Sequence, residues 1–357
     1  MTDILEKSMS PKLGRGSRAR YARAVLFLAG VALAVVLVWR TGWTDVQANL
    51  ALIGWRIFAL AALYLAAEIA FALGWRSVMD PRPPLSSLPY LLRIYLVGNT
   101  LNYLYPGSVA GEPVRVNLLR ERMGTQRAIA AMWIFKHAHL LSQSFFVAVG
   151  LGVAVIFFDL PSGVRWAAVA SLALLCGLLI LVTWGLQKGS FEPIVAWLCR
   201  FKPLAKRLAH HRDGARELDE QIRRFYVHSR PHFFAAAGWC FLGWCGGLLE
   251  TYIVLRLFGT GRGLKTAWAA ESLAMLLNNL FLFVPARVGT AESIRTGVLA
   301  LLGLPASTGV AWGLVRRGRE LLWVAPGLVM LGHHASESSL REELEEEAKV
   351  ASSGQAG

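Results

Sequence analysis

Long apolar blocks alternate with short, strongly basic stretches along this chain. Six blocks read as membrane-spanning helices: Ala24–Trp39, Ala51–Leu73, Ile129–Phe158, Ala167–Leu186, Phe233–Leu257 and Val310–Leu331. A span needs about 20 mostly apolar residues. Two further blocks, Ile94–Tyr105 and Ala267–Val284, are apolar but short or interrupted by polar residues. The pattern predicts an all-α polytopic integral membrane protein, with about six spanning helices and two re-entrant broken segments.

Basic loops set the expected orientation, because cytoplasmic loops collect Lys and Arg. The first block follows Lys7, Lys12, Arg15, Arg18, Arg20 and Arg23, and no small-residue cleavage site follows it. It reads as a retained start signal, with residues 1–23 a basic cytoplasmic tail. Arg76, Arg82 and Arg93 precede the Ile94–Tyr105 block, and Arg115, Arg120, Arg122 and Arg127 follow it. Both flanks are therefore expected inside. Twelve helical residues rise only about 18 Å against a hydrocarbon core of about 30 Å. A hairpin that enters and returns on the same side satisfies both observations. The onward count places the connector 187–230, with its ten Lys or Arg, inside as well. Within it RDGARELDEQIRRF has the charge spacing of an amphipathic helix, read as a solvated connector. The expected layout is a first membrane half over 24–186, with its motif at 94–122, and a second over 231–331, with its motif at 267–303. An acidic, disordered cytoplasmic tail over 332–357 closes the chain.

The two broken segments echo each other. LNYLYPGSVAGEPVR, residues 101–115, and LNNLFLFVPARVGTAESIR, residues 277–295, both run Asn, Pro, Gly, then Glu-x-x-Arg. Asn102, Pro106, Gly111, Glu112 and Arg115 answer to Asn279, Pro285, Gly289, Glu292 and Arg295. One copy is expected to enter from inside and the other from outside, as in an inverted-repeat transporter. Pro113 suits a helix start beside Gly111, where unpaired N–H groups and the helix dipole favour an anion. Glu112 and Arg115 share one face, as do Glu292 and Arg295. Arginine offers a planar fork to phosphate oxygens, and glutamate can hold that fork in place. The alternative is that each pair is a structural staple of the turn.

Hydrophobic residues make up 55% of the 357 residues, and the mean hydropathy is +0.46. The formal charge of +14 sits in loops beside apolar blocks, which fits anionic lipid headgroups and not nucleic acid. Cys176, Cys199, Cys240 and Cys245 show no metal-ligand spacing, and no cofactor motif is present. Pro106-x4-Gly111-Glu112-x2-Arg115, followed by Pro285-x3-Gly289-x2-Glu292, resembles the flippase-like membrane family of the lysylphosphatidylglycerol synthase transmembrane region. The resemblance covers about residues 20–332. It implies movement of lipids such as aminoacylated phosphatidylglycerol between leaflets. It extends to stand-alone members found in hopanoid biosynthesis and to others associated with glycosyltransferases. Arg287-Val288-Gly289-Thr290 departs from the double-glycine form of the family. The segment after Leu331 is too short for the aminoacyltransferase domain of the full synthase.

Further polar residues fall inside apolar blocks, where ionisable groups usually serve function. Glu68 and Glu250 read as partners of the motif arginines, as proton carriers or as an interhelical clamp. Lys136, His139 and Gln143 share a helix face directed at a cavity, whereas His137 faces away, which rules out a two-histidine metal site. Arg316 and Arg319 are candidates for an outer-leaflet phosphate or for pairing with Glu292. These residues point to a lipid translocator in a bacterial inner membrane, with both termini cytoplasmic and no catalytic residue assigned. A membrane transferase acting on a lipid carrier is the rival reading. A non-transporting partner of a lipid- or envelope-biosynthesis enzyme, docking through 187–230, is the third.

Overall fold

The computed structural model describes residues 43–105, 110–188, 212–278 and 289–354, with Pro193, Val284 and Arg287 besides. The expected span Ala24–Trp39, Pro106 of the first break, and Asn279 and Pro285 of the second lie outside them. Among the described residues the chain is helical throughout: α1 (Trp43–Ile53), α2 (Arg56–Ser77), α3 (Leu88–Leu104), α4 (Gly111–Met123), α5 (Thr125–Phe157), α6 (Ser162–Lys188), α7 (Arg212–His228), α8 (Arg230–Leu257), α9 (Leu264–Asn278), α10 (Thr290–Leu301) and α11 (Ala306–Gly354).

Four of these helices are long and apolar enough to cross a membrane: α2, α5, α6 over Ser162–Gly185, and α8. They coincide with four of the six expected spans, and the protein is a multi-pass membrane protein. Val310–Leu331 lies within α11, where Arg316, Arg317, Arg319 and Glu320 interrupt the apolar run. The span expected from Ala51 begins at Arg56 instead. Gly54 takes a φ of 46°, which ends α1 and redirects the chain into α2. The short block expected at Ile94 starts earlier, at Leu88, with Pro89 tolerated in its first turn, so α3 has 17 residues.

α2 lies along α8, its most extensive partner. Gly243 of α8 faces the Phe71 ring, and Gly246 faces Ala67. Small residues at such positions let helix backbones approach within a bilayer. Two apolar cores result. Phe71, Trp75, Tyr95, Phe135 and Cys240 belong to one; Leu60, Phe146, Leu248, Leu273 and Trp312 belong to the other. Each of α2, α5 and α8 contributes to both cores, with Glu68, His139 and the glycine-rich turn Gly243 to Gly247 falling between the two sets along their helices.

One expectation about the connecting segments is corrected. The amphipathic stretch read as a solvated connector forms α7 and docks. Ala215, Leu218, Ile222 and Phe225 are buried, a helical stripe that joins the first core against α5. His137 bonds Tyr226 Oη through Nδ1 at 2.5 Å and Thr183 Oγ1 through Nε2 at 2.8 Å, tying α5 to α7 and α6. α11 runs as one helix of 49 residues to Gly354. Its Glu-, Leu- and Ala-rich stretch consists of strong helix formers.

Candidate functional site

A polar cavity of about 360 Å³ opens between the two apolar cores. α2 lends it Tyr64 and Glu68, α3 Asn99, Asn102 and Tyr103, α5 His139, and α8 Glu250. Asn278, Arg287 and Arg295 line it from the second broken region, and Arg316, Arg317, Arg319 and Glu320 from α11. Burying so many charges is costly unless they are paired or wet. The pairing can be followed residue by residue.

On the first side, Gly111 opens α4 with its N–H donating to Asn102 Oδ1 at 2.7 Å, while Asn102 Nδ2 donates to Glu112 Oε1 at 3.2 Å. Asn102 thus caps the new helix from the end of the old one. A Cβ on Gly111 would collide with the Gly98 carbonyl, so glycine permits this contact. Glu112 pairs with Lys136 of α5. Its approach to Arg115 is longer, 3.8 Å. Arg115 is 1% exposed. It donates through Nη2 to the Tyr95 carbonyl at 2.9 Å and to Asn99 Oδ1 at 2.5 Å, and lies 4.1 Å from the Tyr95 ring centre. Asn99 in turn donates to Glu68 at 2.6 Å. The side chains of Glu112, Arg115, Lys136 and Glu68 therefore form one connected network. His139 lines the cavity between the rings of Phe71 and Trp244, at 5.2 and 4.9 Å.

The second side is wired differently from the sequence expectation. Gly289, at φ 75°, precedes α10. Glu292 pairs with neither Arg295 nor Arg316 nor Arg319. It accepts from Arg317, whose Nε and Nη2 lie 3.0 and 2.8 Å from Oε1. Arg317 also donates to Tyr103 Oη at 2.5 Å and to the Arg287 carbonyl at 3.2 Å, joining α11 to α3 and to the second break. Arg316 donates to both oxygens of Glu271 at 2.6 and 2.7 Å, and Thr251 donates to the same carboxylate at 2.9 Å. Arg319 Nε lies 3.1 Å from Glu250 Oε1, but out of line for a hydrogen bond, and its guanidinium sits 4.0 Å from the Tyr64 ring centre. Helical geometry explains the exchange of partners. Successive residues turn by about 100°, so Arg316, Arg317 and Arg319 point at three different neighbours, and the one facing α10 is Arg317.

Arg295 stands apart. It is 8% exposed and lines the cavity. Among the described residues it has no ion pair and no hydrogen bond; its Nε is a buried donor without an acceptor. Its guanidinium carbon lies 5.5 Å from the centre of the Trp312 ring. The two motif arginines are thus unequal: Arg115 donates twice through Nη2, although its Nε is also a buried donor without an acceptor, whereas Arg295 makes no hydrogen bond among the described residues.

Sequence reasoning missed Glu271, Arg317, Asn99 and Tyr103. Glu271 carried a usable signal, as a lone carboxylate in the apolar run AWAAESLAM. Tyr103 and Asn99 carried none, since polar aromatics and amides are common at helix ends.

The family described as the lysylphosphatidylglycerol synthase TM region matches residues 27–327. The chain belongs to this family. No curated protein and no solved structure matches it. The family region includes both motif helices and every residue that lines the cavity.

Proposed function

We propose that this family member is a lipid translocator, of flippase or scramblase type, for a lipid with an anionic phosphate headgroup. The unsatisfied Arg295 in the polar cavity carries the reading. A buried guanidinium without an anion costs free energy, and a phosphate oxygen arriving in the cavity would supply its missing acceptor. The headgroup crosses through the cavity while the chains stay in lipid, and cavity arginines offset the charge that bare hydrocarbon would reject.

Two broken segments in inverted halves give such a site access to both leaflets in turn. The helix contacts support this arrangement. Exchanging α2–α5 with α8–α11 maps the packing of α4 on α5 onto that of α10 on α11. It likewise maps α5 with α9 onto α11 with α3. The Glu112–Lys136 pair corresponds to Glu292–Arg317. The proposed setting is a bacterial inner membrane, with both termini cytoplasmic.

The test is reconstitution with headgroup-labelled phosphatidylglycerol and dithionite quenching. Purified protein should speed loss of the protected signal, and Arg295→Gln should slow it. No acceleration for any anionic phospholipid would end this reading.

A further inference from the structure

Glu68 lies near the middle of α2, is 3% exposed and lines the polar cavity. It is held differently from the other carboxylates of this region. Glu112 pairs with Lys136, Glu250 with Arg319, Glu271 with Arg316 and Glu292 with Arg317. Glu320 lies 4.0 Å from Arg317 and 3.8 Å from Arg319. Among the described residues Glu68 has no cation within such a distance. Its hydrogen bond comes from a neutral amide, Asn99 Nδ2 at 2.6 Å, and the Asn99 oxygen accepts from Arg115. The amide thus stands between Glu68 and Arg115. The other titratable groups that line the cavity from the helices packed on α2 are Tyr95 and Tyr103 of α3, His139 of α5, Glu250 of α8, and Arg316, Arg317, Arg319 and Glu320 of α11, with Tyr64 on α2 itself. Each of those three arginines is held by another carboxylate.

We infer that Glu68 is the proton-binding group of the cavity, taking up a proton from solvent when an anionic headgroup enters. The inference rests on the translocator reading and adds what compensates the charge the cavity admits. Protonating a carboxylate paired with a guanidinium strands the guanidinium, and Glu68 has no such partner. The neutral acid keeps one oxygen to accept from Asn99 and gains an O–H to donate. An anion in the same cavity repels the carboxylate, and a proton relieves that repulsion. Over a separation on the order of 10 Å, at an effective dielectric of about 20, the repulsion alters proton affinity roughly tenfold. An interhelical clamp between α2 and α3 would exchange no proton.

Calorimetry on the full chain in detergent tests this without requiring transport. Dioctanoyl-phosphatidylglycerol is titrated in between about pH 5 and 9, a range in which buried carboxylates titrate. Paired buffers of different ionisation enthalpy report proton uptake, with protein-free micelles as the blank. The phosphodiester stays ionised throughout, so any proton taken up goes to the protein. Binding should tighten roughly tenfold from high to low pH, with uptake of about half a proton at the midpoint. Glu68→Gln, which keeps an oxygen for Asn99, should bind without uptake and with an affinity independent of pH. Infrared difference spectra of the wild type should gain a carboxylic-acid C=O band on binding, which an imidazole cannot produce. Binding without proton uptake at any pH overturns the inference, and so does uptake without that band. Uptake that persists in Glu68→Gln also overturns it, and loss of that uptake in His139→Gln would place the proton on His139. Proton uptake by a protein that moves no lipid would instead overturn translocation and leave the proton site standing. No binding at any pH would overturn both.

Discussion

The inequality of the two motif arginines gives the sharpest prediction. Arg115→Gln removes a guanidinium that donates to the Tyr95 carbonyl and to Asn99 and lies against the Tyr95 ring. A hydrogen bond involving a charged group is worth about 1.5–3 kcal/mol. Breaking a buried charged network typically costs about 3–5 kcal/mol. Arg115→Gln should therefore destabilise the protein by roughly 3–5 kcal/mol, with Glu112 and Glu68 losing part of their support. Arg295→Gln removes a buried charge that has no hydrogen bond among the described residues, so stability should hold or rise. Its loss should appear in transport. Forfeiting one contact of about 1.5–3 kcal/mol with the transferring phosphate slows the step by about 10- to 100-fold. Both variants would be compared for thermal unfolding in detergent, and for dithionite quenching at matched protein-to-lipid ratio. Equal destabilisation by the two substitutions, or wild-type transport by Arg295→Gln, would refute the assignment.

Glu271→Gln strips Arg316 of its carboxylate and should lower stability by about 3 kcal/mol, read as an earlier unfolding midpoint in detergent. Gly111→Ala drives a Cβ into the Gly98 carbonyl, a backbone neighbour that cannot turn aside. It should cost about 1–3 kcal/mol and raise hydrogen exchange at the start of α4. Phe225→Ala takes the ring of α7 out of the first core and should cost about 3–5 kcal/mol. The readout is faster proteolysis within Arg212–His228. Glu112→Gln and Lys136→Gln, singly and together, should show a coupling of about 1–3 kcal/mol. A coupling near zero would make that ion pair incidental.

The charged residues of the broken segments were visible in the order of residues, although of Glu112, Arg115, Glu292 and Arg295 only Arg295 lines the cavity. Glu112, Arg115, Glu292 and Arg295 announce themselves because charges inside apolar runs are costly and rarely accidental. Glu68 and Glu250 were singled out for the same reason, and both line the cavity. Their partners were not legible. Glu250 meets Arg319 and Glu292 meets Arg317 across helices far apart in sequence. One residue of rotation on α11 decides which arginine faces which glutamate, and hydropathy does not resolve that rotation. The docking of α7 was hidden for a related reason. Its apolar stripe was visible, but a stripe does not name the surface that covers it.

Composition and the length of the apolar blocks, by themselves, determined that this chain is a helical membrane protein. Bilayer thickness and the need to satisfy backbone groups leave few alternatives for blocks of that length. Motif order, by itself, pointed to the family and to two glutamate-arginine pairs. Only the tertiary structure decided that these pairs are not equivalent. Charge balance at such a site depends on which side chains converge from α2, α3, α5, α8 and α11, and that convergence gives Arg115 two hydrogen bonds through Nη2 and Arg295 none among the described residues.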